Sequence, residues 1–211
     1  MDMQAIREPI NSITHFIGMM TYIIAFPFVL TKSSGLLQMI AMTVFLMGLI
    51  GLYGTSSIYH ALKRAPETLK KWRKADHIMI YILIAATYTP ICLIALKGFI
   101  GYALLSVIWT LAIAGIVFKI LWLNMPRKAY TALYVILGWA AIFAIYPLFT
   151  AVGYIGILLL IGGGISYTVG AVFYAKKSKF HLGPFGFHEI FHLFILLGSA
   201  LHFLMVYYFV L

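Results

Sequence analysis

Charge is what this chain most lacks. Only 9% of its 211 residues are Asp, Glu, Lys or Arg, where soluble domains carry roughly a quarter. Acidic residues number five. With 64% hydrophobic residues, these figures exclude a soluble globular domain and predict a polytopic α-helical membrane protein. Cysteine is nearly absent as well. Cys92 stands alone inside an apolar run, so no intrachain disulfide can form and the redox compartment is not legible. No small-residue cleavage site follows the first apolar run, which is also too long for a signal peptide.

The net charge is +10, yet the basic residues form no nucleic-acid-binding face. They sit in short loops between seven apolar segments, each near the ~20 residues a spanning helix needs. The segments cover residues 13–31, 36–62, 76–96, 99–120, 129–150, 152–175 and 188–211. Little more than Thr150 and Gly153 joins the fifth to the sixth, which implies a tight turn. Gly48, Gly51 and Gly54 recur at three-residue spacing in the second, where small residues admit close helix approach. Pro27, Pro90 and Pro147 fall inside spans and predict kinks. Without repeats or linkers, residues 1–211 read as one domain.

Thirteen of the fifteen Lys and Arg fall on one side of this arrangement, leaving only Lys32 and Lys97 opposite. The positive-inside rule then makes the N-terminus cytoplasmic and the C-terminus extracytoplasmic. The expected fold is an all-α, seven-transmembrane helix bundle.

Depth then organises the polar residues. Ser56 and His60, one helical turn apart, close the second segment. Asp76 and His77 open the third, His188 and His192 open the seventh, and His15 lies near the start of the first. Four segments thus bring His or Asp to one cytoplasmic level, and ionisable groups in a span usually serve a purpose. His60, His188 and His192 read as three ligands of one Zn2+, leaving a fourth position open as in catalytic zinc sites. Ligand type alone also admits iron, nickel or copper. Asp76 is the expected base toward a water at that position, and Ser56 a hydrogen-bonding partner for water or substrate oxygen.

Blander readings stand beside these. Asp76 could instead cap the third helix, and His77 and His181 read as interfacial or loop residues. His15 reads equally as a helix-start histidine or a functional one. His188-Glu189-Ile190-Phe191-His192 also matches H-E-x-x-H, in which the glutamate is a general base. The pattern is permissive and no second protease motif accompanies it. Asp76 is therefore preferred, with Glu189 a supporting or helix-start acid.

Taken together, Glu8-x-x-Asn11-x-x-Thr14-His15, Ser56-x-x-x-His60, Asp76-His77, Thr87-Tyr88-Thr89-Pro90 and His188-x-x-x-His192 with Gly198 and His202 resemble the hemolysin III family. That family is the bacterial branch of the progestin and adipoQ receptor (PAQR) superfamily. The resemblance spans nearly the whole chain. It implies a seven-helix bundle with an intramembrane zinc site, His60, His188 and His192 as ligands, and Asp76 and Ser56 beside the water. The similar alkaline ceramidases and adiponectin receptors are associated with lipid-amide hydrolysis. A zinc-dependent hydrolase of a long-chain lipid amide or ester, with a role in membrane-lipid homeostasis, is the expectation. The partner would be a membrane lipid, its acyl chain between the helices and His202 deeper in the cavity. The alternative is a non-enzymatic protein, a cytolysin, pore former or lipid sensor, with structural zinc. Too few polar residues line any span to make a pore attractive. Substrate and oligomeric state are not legible.

Overall fold

A computed structural model describes residues 6–122, 125–177 and 179–211. Seven named helices account for most of them: α1 Pro9–Lys32, α2 Leu36–Ala61, α3 Pro66–Pro90, α4 Gly98–Leu121, α5 Arg127–Gly138, α6 Ile145–Lys176 and α7 Phe187–Met205. Wider π-type turns extend α3 through Ile91–Leu96 and α7 through Val206–Val210, and a 3₁₀ stretch, Trp139–Ala144, joins α5 to α6. Consecutive helices pack as neighbours, and α7 returns to α1.

Six helical stretches among the described residues are long and apolar enough to cross a membrane. The fifth of them is Arg127–Lys176, whose 50 residues would measure about 75 Å if straight. It is not straight. Gly153 takes φ 67°, a conformation that costs glycine alone little, and breaks the run at the turn anticipated from sequence. The two halves then double back. Tyr130 and Tyr174 bring their hydroxyls within 3.0 Å, and Trp139 Nε1 donates to Thr168 Oγ1 at 2.9 Å.

One expected boundary is corrected. The third helix begins at Pro66, ten residues before the expected 76. Hydropathy stops at the basic stretch, but a proline in the first turn followed by Glu67 is a favourable helix start. Asp76 therefore lies well inside α3, and the capping explanation for it falls away.

The exterior is apolar: Phe28, Phe99, Ile136 and Phe143 are exposed. The interior packs around α2 and α3, where Phe45, Leu46, Leu49 and Tyr53 are fully buried. A Cβ on Gly48 would lie 2.6 Å from that of Ala86, so glycine there lets α2 and α3 approach closely.

Candidate metal centre

Two helices supply the three expected ligands. His60 sits in the last turn of α2, while His188 and His192 share one face of the first turns of α7, a single turn apart. One nitrogen from each of the three lies within 4.8 Å of the others. His60 Nε2 and His188 Nε2 are 3.4 Å apart. Two imidazole nitrogens bound at ~2.0–2.1 Å to one tetrahedral zinc would stand about 3.3 Å apart. The donor set fits such an ion, and the His60–His188 pair already stands at that spacing. His60 and His192 are each 1% exposed, while His188 is only half-buried.

Glu8 completes the arrangement around His60, and no role for it was read from the sequence. Its Oε2 lies 2.5 Å from His60 Nδ1. With the proton held on Nδ1, the Nε2 lone pair is left for a metal, the usual way a carboxylate supports a ligating histidine. The His60 hydrogen bond, helped by the Arg7 charge, holds the Glu8 carboxyl down to about 2 against the opposing effect of burial. Arg7 reaches Glu8 Oε1 through Nε at 3.1 Å and stacks on Tyr59. Glu8 escaped the sequence reading because it precedes Pro9, before any helical register begins; its only signal was its place in the family pattern.

Glu189 has other work. Its Oε2 accepts the Gly186 backbone N–H at 3.0 Å, closing the first turn of α7, and its Oε1 accepts Asn11 Nδ2 at 2.7 Å. Both oxygens thus tie α7 to its own start and to α1, which is the geometry of a helix-start acid. Asp76 differs. It is half-buried, its carboxylate meets the Ser56 side chain across the α2–α3 interface, and both residues line the same cavity as the three histidines.

The other histidines divide by position. His15 lies outside the ligand cluster and stacks face to face on His192, ring centroids 3.7 Å apart. His202 donates Nε2–H to the Leu160 carbonyl at 3.0 Å and lines the deep end of the cavity. His181, between α6 and α7, and His77 line it too. His77 is therefore not a lipid-interface residue.

The cavity has a volume of about 600 Å3, within the range of small-molecule sites. Helical rise puts His188 and His202 about 21 Å apart along α7, so its long axis is deep relative to its histidine mouth. Leu83, Ile84, Val135 and Ile195 give it apolar walls.

Comparison with known proteins finds relatives along nearly the whole chain. The family model described as "Haemolysin-III related" matches residues 3–203. Hemolysin-3 of Bacillus cereus is 42% identical over 99% of this chain and 94% of its own length. The Hemolysin-3 homolog of Bacillus subtilis (strain 168) is 38% identical over 97% of this chain and 95% of its own. Monocyte to macrophage differentiation factor of Homo sapiens is more distant, 25% identical over 74% of this chain and 65% of that protein.

Proposed function

Since the chain belongs to the haemolysin-III related family of membrane proteins, we propose that it is a zinc-dependent hydrolase of a long-chain lipid amide or ester, acting in membrane-lipid homeostasis. The observation that carries this reading is the convergence of His60, His188 and His192 at the mouth of a deep, largely apolar cavity. In this reading the run Arg127–Lys176 makes two crossings, one on either side of Gly153, giving seven spans. The basic ends face the cytoplasm, with the N-terminus inside and the C-terminus outside a bacterial plasma membrane.

His60, His188 and His192 hold the metal, and Glu8 keeps the His60 lone pair aimed at it. Bound there, zinc supplies Lewis acidity, polarising a carbonyl and acidifying water. Asp76 takes a proton from the attacking water as its oxygen adds to the acyl carbon. The same proton passes to the leaving nitrogen or oxygen as the carbon–heteroatom bond breaks. Ser56 orients the Asp76 carboxylate. The acyl chain lies along the cavity toward His202, in register with the carbonyl at the histidine mouth.

Full-length protein purified in detergent with zinc is expected to release fatty acid from at least one class in a broad lipid panel, and His188→Ala to abolish the release. Failure of the wild type across the panel would sink the hydrolase. A second reading rests on the hemolysin name of the bacterial relatives, which denotes cytolysis. A pore would leak dye from liposomes even with His60, His188 and His192 replaced, whereas leakage caused by lipid hydrolysis stops with them.

A further inference from the structure

Three cations gather beside the cavity, Lys119 buried, Arg127 half-buried and Arg73 at its exposed rim. Arg73 on α3 and Arg127 at the start of α5 both line it. Lys119, in the last turn of α4, is only 5% exposed, its Nζ 4.2 Å from the ring centroid of Tyr130. The Arg127 guanidinium stacks 4.6 Å from the Tyr174 centroid. The two tyrosines meet through hydroxyls 3.0 Å apart. His77, 5% exposed, packs 4.9 Å from the Tyr130 ring, and its Nδ1 has no hydrogen-bond partner among the described residues. The charges of Lys119, Arg73 and Arg127 all act on it.

Among the described residues, none of these three cations forms an ion pair with a carboxylate, since the ion pairs present belong to Glu8. Asp76, one turn beyond Arg73, feels the Arg73 charge but forms no ion pair with it and meets the Ser56 side chain. Basic residues at the cytoplasmic end of a span normally extend toward water and headgroups. A lysine turned inward without an anion is costly. Guanidinium forks, an ammonium, tyrosine hydroxyls and an orphaned imidazole together present many donors and several positive charges. A phosphate group matches that set, carrying multiple acceptor oxygens and up to two negative charges.

We propose that Arg73, Lys119, Arg127 and His77 form a phosphate subsite, and that the lipid turned over at the metal centre carries a phosphate in its headgroup. This rests on the hydrolase reading and supplies its substrate class. Tyr174 connects the two parts, because its ring lies 5.6 Å from that of the ligand His188. A phosphate held beside Tyr174 is thus a short headgroup's length from a carbonyl at the histidines. The subsite fixes the headgroup while the apolar cavity takes the chain.

The test measures binding to the full-length protein in detergent with three probes: lysophosphatidate, a monoacylglycerol of the same chain, and inorganic phosphate. Zinc content is measured on every sample. Lysophosphatidate is expected to bind at least about tenfold tighter than the neutral lipid. Arg127→Gln and, at the exposed rim, Arg73→Gln should each remove about that tenfold, the loss of one charge-assisted hydrogen bond, with zinc content at the wild-type level. Equal affinity for the two lipids, or variants that keep the preference, overturns the subsite. Inorganic phosphate binding as tightly as lysophosphatidate keeps the phosphate chemistry but overturns the lipid headgroup as its source. Phosphate selectivity in a protein without zinc or turnover defeats the hydrolase and leaves the subsite standing; the reverse pattern defeats the subsite alone.

Discussion

Glu8 and His60 sit 2.5 Å apart, carboxylate oxygen to Nδ1, joining the residue before α1 to the last turn of α2. The contact sets which imidazole nitrogen is free. Glu8→Gln keeps the size and removes the charge, so it is expected to weaken zinc binding by about 10–100-fold, the usual effect of losing such a partner. Competition titration with a chelating dye measures it; an unchanged affinity would show that the tautomer is set by something else.

Single alanine substitutions of His60, His188 and His192 are expected to empty the purified protein of zinc. His202→Ala should leave zinc content unchanged, because His202 lies far along α7 and its Nε2 is committed to the Leu160 carbonyl of α6. Elemental analysis across the four proteins checks both halves. Retention of metal by His192→Ala would exclude that residue as a ligand.

Asp76 and Glu189 separate by function. Asp76→Asn should cost about 10²–10⁴-fold in hydrolysis, the range for a general acid–base, with normal zinc content. Glu189→Gln should retain turnover while losing about 1–2 kcal/mol of stability, since it weakens charge-assisted bonds to Gly186 and Asn11. If Glu189→Gln abolished hydrolysis and Asp76→Asn spared it, the base would have been assigned to the wrong helix.

Acid should strip the metal. Imidazoles must be neutral to ligate, so protons compete with zinc as pH falls. Glu8, held at about 2, keeps its charge until the medium is strongly acidic and is not the first group to respond. Zinc retention after dialysis is therefore expected to fall as the buffer is acidified toward, but not past, the Glu8 value and to recover on return to neutrality. A flat profile would argue against histidine ligation.

Gly163 offers a packing test away from the metal. A Cβ there would fall 2.2 Å from the His202 ring, well inside van der Waals contact. Gly163→Ala is expected to destabilise by about 1–3 kcal/mol, and adding His202→Ala should recover much of it. Thermal unfolding in detergent reads both; no recovery would mean the clash is relieved elsewhere.

What could be read from the sequence follows from periodicity and depth. His188 and His192 have to share a face of one helix, and the end of α2 has to reach the same level, so the clustering of the three histidines was legible. The turn at Gly153 was legible from how little lay between two apolar runs. The start of α3 was not, because a charged amphipathic extension and a loop give hydropathy the same signal. Glu8, lying outside every span, offered no period to place it. The subsite cations looked like ordinary loop charges, since which way Lys119 points depends on the neighbouring α5.

His60 and His188 are separated by 128 positions in the chain. During synthesis the first six helices can pair with their predecessors as they emerge, but the three histidines meet only after α7 has closed against α1 and α2. On the proposed zinc reading, metal acquisition is thereby a late event of biogenesis. A nascent protein arrested before that point holds His60 without its two α7 partners.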